Sequence, residues 1–450
     1  MEVTVPGGKF EDKEAGLKRE LSVRLLSMIA IGQSIGTGLF LGSGISVQMA
    51  GPGVIVSYII GGLITYFVMV ALSEMATAHP MAGSFGAYAE HYLGPWAGLV
   101  TRYTYSVAQI IAIGGQIVAA AIYCRYWLPD VPSWIWIVGF SVVLLAVNIL
   151  NVGSFGEFEY WFSLIKVLAI CLLLVFGVVL FGGIGVPRRG LEAYTAYGGF
   201  FPHGMGGVWA AVTMAIFSYY GLEAAAVGSG EARDPEKTVP RALRRIMARL
   251  ALFYVGSMTI LVGIVPWNQT GISESPFVLV YRNIGIPGAA ALMNFVVLTA
   301  ALSSINTNLY TASRMLFSLA RSGQAPTLLG RLSARGVPRN AVLISGAGLA
   351  IAALIYQFFA DTAYVYMLGV SLFGAIFCWL IILATHVRFR SAAVPHGSVA
   401  GICMLLGMLI TMAFLPQMRI ACLAGIPWLL GISLIYYFKS PARPPNRPKN

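Results

Sequence analysis

The stretch Ala30–Gly44, AIGQSIGTGLFLGSG, lies inside an apolar run yet carries five glycines, three hydroxyl residues and a glutamine. Each interior glycine costs a helix about 1 kcal/mol relative to alanine. In lipid, unpaired backbone is tolerated only where it is buried in protein or lines a cavity. Two readings fit the stretch taken alone. Gly32-x-x-x-Gly36 and Gly38-x-x-x-Gly42 could be small-residue seams between close helices, or the helix could be broken at a binding site.

The surroundings set the frame for that choice. The chain has 450 residues, of which 58% are hydrophobic and 10% charged, with a mean hydropathy of +0.79. A soluble domain is nearer about 25% charged. Apolar runs of the length that crosses a bilayer, about 20 residues, recur throughout. They predict twelve spans, near 24–49, 53–78, 97–123, 134–150, 159–183, 206–229, 244–266, 287–318, 339–359, 363–387, 398–416 and 421–438. The fold class is an all-α membrane protein, because barrel strands would alternate over about ten residues. The start, MEVTVPGGKFEDKEAGLKRE, reads as a charged tail rather than a cleavable signal peptide.

Lysine and arginine predict the orientation. With the N-terminus cytoplasmic, 23 of the 29 basic residues fall on the cytoplasmic side. Arg125, Arg188, Arg189, Arg282 and Arg419 fall outside, and Lys166 lies within the fifth span. By the positive-inside rule both termini are expected in the cytoplasm, with the chain in the inner or plasma membrane. The net charge of +12 then needs no nucleic acid. The basic run 231–245 reads as a cytoplasmic loop near anionic membrane lipid.

Catalytic and metal signatures are not apparent. The five cysteines lack CxxC spacing, the five histidines form no HExxH-like cluster, and GTGLFLG is not a GxGxxG fingerprint. Asn268 opens a formal sequon, NQT. No metal, cofactor or enzymatic activity is expected.

The sixth span decides between a seam and a break. VTMAIFSYYGLEAAAVGSGEARDP, Val212–Pro235, places Ser218, two tyrosines, Gly221 and Glu223 in the middle of an apolar run. An acidic residue there costs about 2.5–3.5 kcal/mol on insertion scales and points to function. The interrupted spans are the first and sixth, corresponding members of two five-helix halves, the pattern of an inverted-repeat transporter. The expected organisation is a tail 1–22, a ten-helix core 23–388 with repeats near 23–183 and 204–388, two peripheral helices in 389–438, and a basic tail 439–450.

Six motifs in register carry a resemblance. IGTGLFLGSG, AGPGVIVSYIIGGLITYFVMVALSEMA, HPMAGSFGAYAEHYLGPWAG, NVGSFGEFEYWFSLIKVLAI, IFSYYGLEAAAVGSGEARDPEKTVPRAL and ALSSINTNLYTASRMLFSLARSGQAP resemble permeases of the amino acid–polyamine–organocation superfamily. The likeness runs from about residue 18 to 390 and is nearest to the proton-coupled amino acid transporters. It implies discontinuous helices 1 and 6 with an amino acid between them. The substrate's carboxylate would meet Thr37 and Gly38, and its amino group carbonyls near Ser34, Phe217 and Tyr220. Ile35, Gly36 and Gly221 complete the expected site, and Phe217 and Tyr220 could close over the ligand. The physics agrees, since a helix N-terminus offers free N–H groups and about half a positive charge.

The resemblance also implies that Lys166 stands where related symporters hold sodium, and that it couples protons to transport. Its neighbours would be carbonyls near Gly32 and Gln33 and the hydroxyls of Ser303 and Ser304. Lys166 lies about 11 Å along its helix from the expected start of the fifth span, which would also permit snorkelling. Glu223 is a second proton candidate, or a brace for helix 6. Glu74, Glu157 and Glu159 read as structural. On the third span Gln109, Ile113, Gln116 and Ala120 share a face, and many relatives carry glutamate where Gln116 stands. Without that carboxylate a neutral substrate is expected. The sequence thus reads as a proton symporter importing an amino acid by alternating access. An amino acid exchanger is the alternative, and a non-transporting sensor a more distant one. Oligomeric state is not readable.

Overall fold

The computed structural model describes residues 21–79, 84–150, 152–183, 192–359, 362–391, 394–416 and 418–439. Nearly all of both expected tails, together with Arg188 and Arg189, lies outside them. In chain order the helices are α1 Val23–Ser34, α2 Ser43–Ala50, α3 Val54–Ala78, α4 Ser84–Leu93, α5 Pro95–Cys124, α6 Ser133–Leu150, α7 Val152–Gly182, α8 Gly204–Tyr219 and α9 Ala224–Val227. There follow α10 Pro235–Ile264, α11 Pro276–Ile284, α12 Ala289–Arg321, α13 Arg339–Ser345, α14 Ala347–Phe358, α15 Ala363–Phe389, α16 His396–Phe414 and α17 Arg419–Lys439. Among the described residues extended pairing is confined to one bridge, Leu21 with Ala232.

Among the described residues ten helical stretches are long and apolar enough to cross a bilayer. The first, Val23–Ala78, contains two of the expected spans joined through the turn Gly51–Gly53, and the expected fourth span is a shorter apolar helix, Ser133–Ile149. In lipid a helix satisfies its own peptide groups, so apolar runs of this length have no cheaper conformation. The outward faces are greasy too: Leu168, Leu172, Val175 and Val178 stand exposed along α7.

The interior is organised around α5, which lies chiefly against α12 and α15, while α3 packs on α8 and α10, and α1 on α7. The most apolar window of 204–227 is 100% buried, whereas those of 396–414 and 419–438 are 28% and 22% buried. The last two helices therefore sit at the periphery.

The run 231–245 departs from expectation. Instead of a loop it is mostly the opening of α10, which begins at Pro235. Arg241, Arg245 and Arg249 recur every fourth residue on the exposed face, while Ala242, Leu243 and Ile246 are buried. Proline at the start of a helix and an amphipathic pattern explain the change.

Two polar clusters tie helix ends together. Glu74 on α3 accepts from His386 Nε2 at 2.9 Å and Arg390 Nη2 at 2.7 Å, and His386 Nδ1 meets Ser398 Oγ at 2.8 Å on α16. This fits the structural role expected of Glu74. The second cluster is deeper. Glu231, just past α9, accepts from Arg314 Nε at 2.9 Å and Tyr310 OH at 2.6 Å, both on α12. Arg314 also lies 4.0 Å from the Tyr310 ring centroid. The backbone of the same segment holds the start of the described chain, Leu21 N–H donating to Glu231 O and Arg233 N–H to Leu21 O, each at 2.8 Å. Glu231 and Arg314 are 1% and 5% exposed, so removing one strands the other's charge in the interior. Glu231→Ala is therefore expected to cost about 3–5 kcal/mol, read as a lower Tm of the purified protein in detergent.

Candidate functional site

Both interruptions read from the sequence are present. α1 ends at Ser34, and Gly36 N–H turns back to Ser34 O at 3.0 Å rather than continuing the helical ladder. Gly32 O thereby loses its i+4 donor. The chain then resumes as a π-helical turn, Gly38–Gly42, before α2. The break is therefore at residues 35–36, within the glycine-rich stretch. In the second interruption Tyr220 is extended and Gly221 takes φ +113°, a region side chains other than glycine's rarely enter. Gly221 N–H leaves the ladder and donates to the Glu223 carboxylate at 3.2 Å. Ala224 N–H donates to Gly221 O at 3.0 Å. Phe217 O and Tyr220 O are thus both left without an i+4 donor.

The two breaks touch. A Cβ on Gly38 would stand 2.8 Å from Phe217 Cδ1 and 3.1 Å from Phe217 O, and one on Gly221 would stand 2.5 Å from Gln33 Cγ. Beside this contact is a small cavity in which the centre of a water-sized sphere can occupy about 10 Å³. Of the nine residues expected around a substrate, Ser34, Gly36, Thr37, Gly38, Gln116, Phe217 and Tyr220 line it. Ile35 and Gly221 do not: the first turns its carbonyl elsewhere and the second abuts Gln33. Gln33, Ala112 and Asn308 complete the wall. A solute of amino-acid size requires side chains here to move. Tyr219 faces away, donating to Tyr58 O at 3.1 Å beside the rings of Tyr58 and Tyr254, and is part of the core.

Lys166 reaches the first break from α7. Its Nζ donates to Gly32 O at 2.5 Å and Ile35 O at 3.0 Å, and Ser304 Oγ donates to the same Gly32 O at 3.1 Å. A cation thus sits on carbonyls that the interruption sets free. Gln33 O, expected among its neighbours, is replaced by Ile35 O.

A model of the family described as amino acid permease matches residues 26–445. The chain belongs to the amino acid permease family. It is 39% identical over 446 residues to the gamma-aminobutyric acid permease of Bacillus subtilis (strain 168), covering 95% of this chain and 94% of that protein. It is 37% identical over 437 residues to the aromatic amino acid transport protein AroP of Escherichia coli (strain K12), covering 94% and 96%. The amino acid permease YtnA of B. subtilis is 38% identical over 447 residues, covering 96% of each chain. The likeness thus extends past residue 390 into the last two helices, beyond the reach of the six motifs. Permeases of this family are transporters rather than enzymes, and this one is a multi-pass membrane protein.

Three features of the permease's site were not readable from its sequence. Lys166 does not snorkel: α7 starts at Val152, placing the lysine about 21 Å along the helix, and its side chain is fully buried. Glu159, expected at a helix mouth, is also fully buried. It accepts from Asn306 Nδ2 and Ser163 Oγ, each at 3.1 Å, and closely from Ser303 Oγ. Ser303 therefore serves Glu159 rather than Lys166. Asn308 is the third, donating through Nδ2 to Gln116 Oε1 at 3.1 Å. The spacing of Ser304, Asn308 and Thr311 on one helix face was the available signal. Glu223 matches the bracing geometry, since Tyr105 OH at 3.3 Å and Trp379 Nε1 at 3.4 Å also donate to it.

Glycine placement makes a sharp test. A Cβ on Gly32 would lie 1.8 Å from Glu159 Oε1, whereas one on Gly139 of α6 meets nothing within 4 Å. Gly32→Ala is expected to destabilise the permease by about 1–3 kcal/mol through overpacking. Gly139→Ala should leave its Tm in detergent unchanged or higher.

Proposed function

We propose that this permease imports a neutral amino acid across the cytoplasmic membrane together with protons, by alternating access. The observation that carries the reading is the meeting of two interrupted helices beside one buried lysine. At the first break, the renewed helical turn begins with the N–H groups of Thr37 and Gly38, which suit a carboxylate. At the second, Phe217 O and Tyr220 O lack helical donors and suit an ammonium. Ser34 O already accepts from Gly36 N–H, so the two aromatic residues carry most of that task. Ser34, Gly36 and the face of Gln116 shape the space between, while Ile35 contributes through the carbonyl held by Lys166 and Gly221 through the turn that frees Phe217 O.

Lys166 supports proton coupling because it bridges the break. An ammonium on Gly32 O and Ile35 O occupies oxygens that would otherwise suit a sodium ion. Its loss of a proton would remove the charge assistance from both bonds and loosen the hinge between α1 and α7. Glu223 grips the other break through Gly221 N–H and can answer protonation there in the same way. The wider reading is a twelve-span protein with both termini cytoplasmic. Its core, 23–388, forms two inverted halves, near 23–183 and 204–388, flanked by peripheral helices 389–438. The sparse burial of α16 and α17 supports that division.

A neutral substrate is favoured by the lining, in which Gln116 takes the place of a carboxylate. Two of the named relatives, the aromatic amino acid transport protein AroP and the gamma-aminobutyric acid permease, are named for substrates without a net charge at neutral pH.

Two measurements test the reading. In proteoliposomes without internal amino acid, an inwardly directed proton gradient should drive accumulation. Lys166→Ala should reduce that pH-driven component at least tenfold, and unchanged proton dependence would remove the lysine from coupling. Gln116→Glu should shift competition profiles toward lysine and arginine. A profile that does not move would take Gln116 out of the pocket.

A further inference from the structure

Gln116 of α5 and Asn308 of α12 meet in the wall of the cavity, joined by one hydrogen bond of 3.1 Å. Each carboxamide has one carbonyl and one amino group. A single bond between them therefore leaves one amino group and one carbonyl over, whichever way round the two amides are turned. Asn308 is 2% exposed, and its Oδ1 is buried with no hydrogen-bond partner. Gln33, in the same wall, is also buried, and its amide makes no hydrogen bond of good geometry although the Tyr105 hydroxyl stands near it. Buried polar groups in native proteins are ordinarily satisfied, and leaving one unpaired is costly. Unpaired groups gathered on one small cavity indicate the chemistry of what fills it.

The remaining lining narrows the choice. No ionised side chain is among the lining residues described, so a charged substrate side chain would be buried without a counter-ion. An aliphatic or aromatic side chain would leave Asn308 Oδ1 unpaired. A lone hydroxyl cannot offer a separate donor and acceptor to the two amides at carboxamide spacing. A carboxamide can do so, its amino group donating to the spare carbonyl and its carbonyl accepting from the spare amino group.

We propose that this cavity selects an amino acid whose side chain ends in a carboxamide, with Gln116 and Asn308 as the specificity-determining pair. The proposal deepens the permease reading of the same cavity and rests on it. Asparagine and leucine are near isosteres, so the comparison between them isolates the hydrogen bonds from size. A site built to bond a polar group rejects the analogue lacking it far more strongly than an apolar pocket rejects an extra methylene.

The test is calorimetric binding of asparagine, glutamine, leucine, serine and phenylalanine to the purified full-length protein. Asparagine or glutamine is expected to bind at least tenfold more tightly than the other three. Asn308→Leu combined with Gln116→Met should erase that preference and strengthen leucine binding. Gln116→Met alone, a smaller change, should reduce the preference at least threefold and serves if the double variant aggregates. Leucine, serine or phenylalanine binding as tightly as the carboxamides, or an unaltered preference in the folded variants, would overturn the proposal while leaving an amino acid permease intact. Failure of every amino acid to bind or to be transported would overturn the parent reading as well.

Discussion

The structure depends on backbone hydrogen bonds given up at two places inside a membrane. A helix crossing lipid keeps its peptide groups paired because nothing around it can replace the bonds. Here Gly36 and Gly221 turn their N–H groups away from the ladder, toward Ser34 O and the Glu223 carboxylate. The carbonyls left behind have two fates. Gly32 O and Ile35 O are held by Lys166, while Phe217 O and Tyr220 O remain beside the cavity. Three charged residues of the interior are thus placed around the interruptions. Lys166 answers one break, Glu223 the other, and Glu159 fills the space that Gly32 leaves by lacking a side chain.

This arrangement joins stability to movement. A continuous helix would be more stable and would have no reason to hold a lysine at its centre. Once broken, α1 is fastened to α7 through one ammonium on two carbonyls, and α8 is fastened to α9 through one carboxylate on one peptide N–H. Charge-assisted bonds of this kind are strong while the partner is ionised and weaken when it is not. The Glu231–Arg314 pair fastens the segment beyond α9 to α12 and, through the backbone, to Leu21. The segments at both breaks thus carry polar ties in addition to the apolar packing of α1 on α7 and of α8 on α3.

Much of this was legible in the sequence because its causes are local. Apolar runs fix the spans, and glycines beside polar residues mark both interruptions. Glu223 announces itself by cost alone. What could not be read has non-local causes. Five glycines lie between Gly32 and Gly44, and which of them faces Glu159, Ser304 or Phe217 is decided by other helices. Lys166 was placed too near the surface because the apolar run of the fifth span starts near residue 159, whereas α7 already begins at Val152. Asn308 was hidden among the many polar residues of α12, whose partners lie on several other helices: Asn294 donates to Tyr123 O, Ser304 to Gly32 O and Asn306 to Glu159.

In the proposed mode of binding, exposed peptide groups at the two breaks grip both charged ends of one solute. The most direct measurement is competition for uptake by analogues of the transported amino acid that lack either the amino group or the carboxylate. Neither analogue is expected to compete appreciably, while the intact zwitterion does. Equal competition by an analogue missing one charge would contradict it.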